Sequence, residues 1–200
     1  MMNYPKFYDE VAPIVTYDPL AETLGAVEAG RIEYRYLDMV KLAGHSCPTV
    51  AGAWLMTTVG LNKLYGDDLP VRGNIKIEMK EALDEGVAGV IASCIALVTG
   101  SGNEGGFKGL GGKMARNDRL FFGVEMGADV RLTRLDNAAH VELDYNPSIV
   151  PGSPEMQPLM QKIMQGMASA EEKARFGELW QERVRKILLE VPAEELVSCS

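Results

Sequence analysis

Cysteine and histidine are scarce in this chain, with three of the first and two of the second among 200 residues. Three cysteines make no disulfide framework, so an ordinary hydrophobic core has to hold the fold. Basic stripes are missing as well. The net charge is −8 and the pI about 4.9, and the one local basic run, Arg183, Arg185 and Lys186, is flanked by acids. Phosphate contacts need clustered Lys and Arg, so no nucleic acid partner is expected. The longest apolar run, Pro48 to Leu61, contains Thr and Gly and is too short to span a membrane. The opening stretch "MMNYPKFYDEVAPIV" carries early acids and no apolar segment, which is unlike a signal peptide. No membrane partner is expected, and the expected setting is reducing and cytoplasmic. Repeats, low-complexity tracts and linkers are also lacking. The expectation is a single domain over 1–200, with an arm at 1–30 (irregular up to residue 17), a core over about 31–150 and C-terminal helices within 154–191.

What the sequence does contain reads as alternating helices and strands. Asp18-Pro19 is a helix start, with Asp as N-cap and Pro in the first turn, and the helical spacing of "LAETLGAVEAG" predicts a helix stopping at Gly30. A second short helix is predicted over 34–42, with Tyr36, Leu37, Met39 and Val40 inward. Pro48–Tyr65 predicts a central helix with a small-residue face, Ala51, Gly52, Ala53 and Gly60. "NIKIEMK" at 74–80 alternates as a half-buried strand. Val87–Thr99 is apolar enough for a buried helix. Segments 119–126, 128–136 and 140–146 predict strands, with a turn at Asn137. Two further helices are predicted over 154–168 and 171–191. The fold class is therefore α+β, a mixed β-sheet with helices packed on one face.

The scarce residues meet in "AGHSCPTVAGAW", 43–54. Pro48 fits the first turn of the central helix, which puts Cys47 at its N-cap and His45 in the loop before it. Free N–H groups and the helix dipole there favour a thiolate. In an extended His-x-Cys segment residues i and i+2 point to one side, so imidazole and sulfur can converge on zinc or a similar divalent metal. Three readings stay open on spacing alone: a metal site, a Cys47 nucleophile activated by His45, and a buried structural cysteine. Two ligands hold a metal loosely. Cys94, inside the predicted helix 87–99, is a candidate third ligand or a core residue, and His140, at a strand start, a candidate ligand or a surface residue. Cys199 is expected to be disordered.

The loop "TGSGNEGGFKGLGGK", 99–113, contains a formal G-x-G-x-x-G. It follows a helix rather than a strand, which excludes the dinucleotide fingerprint, and Lys113-Met114 excludes a P-loop. Its N–H groups suit either an anion or a flexible connector. Ser101, seven residues after Cys94, shares a face with it if the helix continues, and Ser101, Asn103 and Lys113 are candidate site-lining residues. Met156, Met160, Met164 and Met167 recur at helical spacing and suit core or dimer packing.

The segments "YLDMVKLAGHSCPTVAGAWLM" and "IALVTGSGNEGGFKGLGGKMA" resemble the FmdE-like family, named for a component of formylmethanofuran dehydrogenase. That family's first motif is His-Gly-His-x-Cys-Pro; here it reads Ala43-Gly44-His45-Ser46-Cys47-Pro48, with the first His replaced. Its second motif is Thr-Gly-Cys-Thr, a glycine loop and Gly-Lys; here it reads Thr99-Gly100-Ser101-Gly102 and ends at Gly112-Lys113, with Ser101 at the cysteine position. The resemblance covers roughly 32–145. It implies a fold related to the catalytic domain of glyceraldehyde-3-phosphate dehydrogenase, with helix, strand, helix and three strands. It also implies His45 and Cys47 as metal ligands, with Cys94 in place of the lost donors. The C-terminal zinc ribbon of many relatives has no counterpart in "VSCS".

These readings combine into one expectation: a cytoplasmic metal-binding protein, forming a homodimer, with zinc or a similar ion on His45 and Cys47 and redox or hydrolytic activity left open. No general base stands out; Glu104 is the nearest. The competing classes are an accessory or carrier subunit docking on a larger oxidoreductase and a cysteine-thiol enzyme. The small molecule it acts on is unknown from sequence.

Overall fold

The computed structural model describes residues 3–200. Two sheets are present. β1 (Ile14–Tyr17) pairs antiparallel with β2 (Arg31–Tyr34), Ile14 opposite Tyr34. The main sheet has the order β4-β3-β5-β6-β7, from β3 (Ile75–Met79), β4 (Leu120–Phe121), β5 (Val130–Arg134), β6 (His140–Tyr145) and β7 (Val197–Cys199). Only the β3–β4 pair is parallel. The helices are α1 (Pro19–Thr23), α2 (Tyr36–Ala43), α3 (Pro48–Tyr65), α4 (Ala88–Thr99), α5 (Met156–Met164), α6 (Ala170–Leu189) and α7 (Ala193–Leu196). The fold is α+β, with helices on one face of a mixed sheet.

Alternation along the strands decides which face is covered. Ile75, Ile77 and Met79 of β3, Val130 and Leu132 of β5, and Val141 and Leu143 of β6 are all buried. α3 packs over β6 and β7, and α4 over β3. Gly60 sets the approach, since a Cβ there would lie 2.6 Å from Leu132 Cδ1 and 3.0 Å from Leu143 Cδ1. The opposite face carries charge: Arg131 bridges Glu78 and Glu142 on its two neighbouring strands. α3 is buried all round, because α2, α4, α6 and the sheet surround it. The buried cluster runs continuously from Phe7 to Val197, so the N-terminal segment and the last helix–strand unit share the core.

Several expectations need correction. The arm expected to be irregular up to residue 17 holds a 3-10 turn at Lys6–Glu10, with Phe7 and Tyr8 buried, and then β1; residues 1 and 2 lie outside the described residues. The helix expected up to Gly30 ends at Thr23. Gly25, Ala29 and Gly30 all have positive φ, which no helix accommodates, and residues 31–34 pair with β1 instead. Of the strand expected over 119–126 only Leu120–Phe121 remains; beyond it Gly123 turns to φ +66. Cys199, expected to be disordered, is the last residue of β7, opposite Leu143. Of the four methionines expected in core or dimer packing, Met156 is buried in the single chain and Met160, Met164 and Met167 lie on its surface.

Candidate functional site

The His45-Ser46-Cys47 segment crosses between two helices under tight control. α2 ends at Gly44, in the left-handed region at φ +75, where glycine carries no Cβ penalty. α3 begins at Pro48, and Cys47 is its N-cap, extended at φ −152 and ψ 171, with Sγ accepting from Val50 N–H at 3.5 Å. Between them Ser46 is clamped from two sides. Its hydroxyl hydrogen-bonds the Tyr36 hydroxyl at 2.9 Å inside the core. Its carbonyl accepts from Trp180 Nε1 at 2.9 Å and Gln181 Nε2 at 3.2 Å, both on α6. Tyr36 is itself held edge-on between Tyr8 and Trp54. Burial pushes the Tyr36 phenol well above its ordinary range, so it stays a neutral hydroxyl.

The two flanking side chains differ. His45 is exposed, and its Nδ1 is 2.9 Å from Ala43 O. That contact makes Nδ1 the protonated nitrogen, and Nε2 remains as a lone-pair donor, the arrangement typical of metal-ligating histidines. Cys47 is 7% exposed. Cys94 lies in α4, which packs against α3, and is 1% exposed. Burial first, and then the nearby Cys47 sulfur, push its thiol up to about 11. None of the three cysteines is in a disulfide. Among the described residues no three His, Cys, Asp or Glu side chains come together as a set able to hold a metal ion. The donor chemistry of His45 and Cys47 fits a thiophilic cation as a pair; Cys94 does not complete a three-donor set with them.

The other candidates lie elsewhere. α4 stops at Thr99 with Gly100 left-handed, so Ser101 is outside the helix and off the Cys94 face. Its hydroxyl is used at once, donating to Ile75 O at 2.7 Å and touching Thr99 Oγ1 at 2.9 Å. The glycine loop is stitched to itself rather than open. Gly102 N–H donates to Arg116 O, Arg119 N–H to Gly102 O and Arg116 N–H to Phe107 O. Asn103 Oδ1 accepts from Gly105 N–H, and Lys113 stands exposed at the loop's far turn. His140 opens β6, five residues or about 16 Å of strand from Tyr145, whose hydroxyl bonds the first carbonyl of α3, Pro48 O. Glu104 is exposed.

Two features escaped sequence reasoning. One is the Ser46 clamp: Trp180 and Gln181 are 134 and 135 residues away, in the last long helix. A tryptophan that is partly buried needs a partner for its N–H, which is the one signal available. The other is a buried ion cluster beneath the glycine loop. Asp18, 3% exposed, binds Arg72 at 3.0 Å through Oδ2 and Arg116 through Oδ1. Two hollows also flank the start of α3. One, of about 280 Å³, lies between the end of α2 and α4 and touches Ala43, Ser93 and Cys94. The other, of about 190 Å³, is lined by Thr49, Met79, Glu81, Asp129 and Tyr145 among others.

No helix is long and apolar enough to cross a membrane among the described residues. No protein-family model matches the chain, and no curated protein matches it, so the functional reading rests on the residues themselves.

Proposed function

We propose that this chain binds a thiophilic divalent ion, zinc first, through His45 and Cys47, in an open site whose remaining positions are filled from outside the chain. The observation that carries the reading is the clamp on Ser46, with its hydroxyl on Tyr36 and its carbonyl on Trp180 and Gln181. One buried and two partly buried hydrogen bonds therefore converge on a single loop residue. They hold the backbone between the two donors, with Cys47 extended at the N-cap of α3. The contact from His45 Nδ1 to Ala43 O supports the same reading, since it leaves Nε2 for the metal. Three unpaired cysteines suit a reducing compartment.

Two protein donors and an exposed imidazole make a weak, exchangeable site. That favours an accessory or carrier role over a resident catalytic centre. An ion bound with open positions supplies Lewis acidity to whatever fills them. The chain's own residues fix the donors; none of those around Cys47 is placed as a general base.

Zinc bound at equilibrium, measured by dialysis against a fixed free zinc concentration, tests this. The natural chain and the Cys94→Ala variant are expected to bind zinc equally, and the His45→Ala/Cys47→Ser variant to bind none while keeping its circular dichroism spectrum. Equal zinc in all three removes the proposal.

A further inference from the structure

The smaller of the two hollows has a chemistry of its own. Met56 and Met79, 0% and 2% exposed, form its inner lining together with Ile91. Tyr145 forms a wall and is fixed there, because its hydroxyl donates to Pro48 O at 2.9 Å and its ring lies over Gly52. The edge carries two exposed carboxylates, Glu81 and Asp129. Among the described residues neither carboxylate makes a hydrogen bond or an ion pair. The neighbouring strand carboxylates Glu78 and Glu142 pair with Arg131, whereas Glu81 and Asp129 stand at the mouth of the hollow without a cation. The nearest cation in sequence, Lys80, is turned away and donates to Gly127 O.

We propose that this hollow binds a small organic ammonium, an alkylamine or arylalkylamine in its protonated form. The volume of about 190 Å³ equals that of roughly six waters, which suits one ring or a short hydrocarbon chain. The methionine lining accepts an apolar body of varied shape, because thioether side chains adapt to irregular contacts. The two carboxylates supply charge-assisted acceptors for an ammonium at the mouth. An anion of the same size meets two like charges, and a neutral alcohol offers the carboxylates one uncharged donor. None of the lining side chains is a proposed metal donor, so the inference stands apart from the zinc reading and is tested with chelator present.

The test is titration of the full chain with benzylamine, benzyl alcohol and benzoate, read by calorimetry and by the methyl signals of carbon-13-labelled methionine. Benzylamine is expected to bind saturably and to shift Met56 and Met79 but not the exposed Met164 and Met167. Benzyl alcohol is expected to bind about tenfold more weakly, and benzoate not at all. The Glu81→Gln/Asp129→Asn variant, altered only at exposed side chains, is expected to bind benzylamine no better than it binds the alcohol. Benzoate binding as tightly as benzylamine would overturn the proposal. So would an unchanged affinity in the double variant, shifts confined to Met164 and Met167, or no saturable binding of benzylamine.

Discussion

Replacing Asp18 by alanine is expected to lower the unfolding free energy by about 3–5 kcal/mol, the range for removing one partner of a buried ion pair. The carboxylate serves four donors. Oδ1 accepts from Leu20 N–H at 2.9 Å and Ala21 N–H at 3.1 Å, which caps α1, and also from Arg116; Oδ2 accepts from Arg72. Without it two guanidinium groups face each other with no counter-charge. Arg116 is 7% exposed, and its Nε and Nη1 already lack partners. It has no room to retreat, because Gly73 packs so closely that a Cβ there would lie 1.9 Å from Nη1. Asp18→Asn keeps one oxygen acceptor for the helix cap and Arg116 and loses the charge and the acceptor facing Arg72, so it is expected to cost less than alanine. Urea denaturation of the three chains measures both values.

The same carboxyl makes a pH prediction. Burial opposes its ionisation, but the Ala21 N–H bond and the charges of Arg72 and Arg116 outweigh burial and hold its pKa below the ordinary aspartate value. The unfolded chain therefore takes up this proton first, near pH 3.9. Above that pH the contribution is fully present; below it, stability is lost as the pH falls through the lower native pKa. The gap in urea midpoint between the natural chain and Asp18→Asn is expected to be constant above about pH 5 and to narrow in acid below about pH 4. A gap that widens in acid contradicts the assignment.

Gly52→Ala is the second large effect, and its sign depends on a neighbour. A Cβ at position 52 would lie 2.2 Å from Tyr145 Cε1 and 2.4 Å from Cδ1. The ring cannot swing away without breaking its bond to Pro48 O. Overpacking of this kind costs about 1–3 kcal/mol, against a gain of up to about 1 kcal/mol from replacing glycine inside a helix. The net expectation is destabilisation by about 2 kcal/mol or less. In a Tyr145→Ala background the obstacle is gone, and the same substitution is expected to stabilise. An equal penalty in both backgrounds would show that Tyr145 is not what excludes the side chain. Because Tyr145 ties the end of β6 to the first turn of α3, its loss is also expected to loosen the opening of the helix that Cys47 caps.

Local signals in the sequence were sufficient wherever the structure is decided locally. Pro48 and Gly66 bracket α3, the alternation of 75–79 defines β3, and Asp18-Pro19 marks the start of α1. They were insufficient where partners are distant. The apolar spacing of "LAETLGAVEAG" is helical, yet β1 recruits residues 31–34 across a turn that includes Gly30, where a Cβ would lie 2.7 Å from Asp18 O. Arg72 and Arg116 lie 54 and 98 residues from Asp18 and look like ordinary surface cations in the sequence. At the candidate site, His45 and Cys47 are visible as a pair because both donors lie in one short segment. The grip on Ser46 is not, because α6 supplies it from the far end of the chain. The glycine loop that carries Ser101, Asn103 and Lys113 suits an anion or a connector in the sequence, and its internal bonding is not visible there. Its backbone bonds to Arg116 and Phe107 close it.

Everything functional here depends on a metal ion meeting the sulfur of Cys47. X-ray absorption at the zinc edge of the reconstituted protein tests that contact directly. The account predicts one sulfur scatterer and an imidazole signature, with the rest of the shell made of light atoms. It also predicts a sulfur signal that survives Cys94→Ala and vanishes in Cys47→Ser. A zinc shell without sulfur, or a sulfur signal that persists in Cys47→Ser, contradicts it.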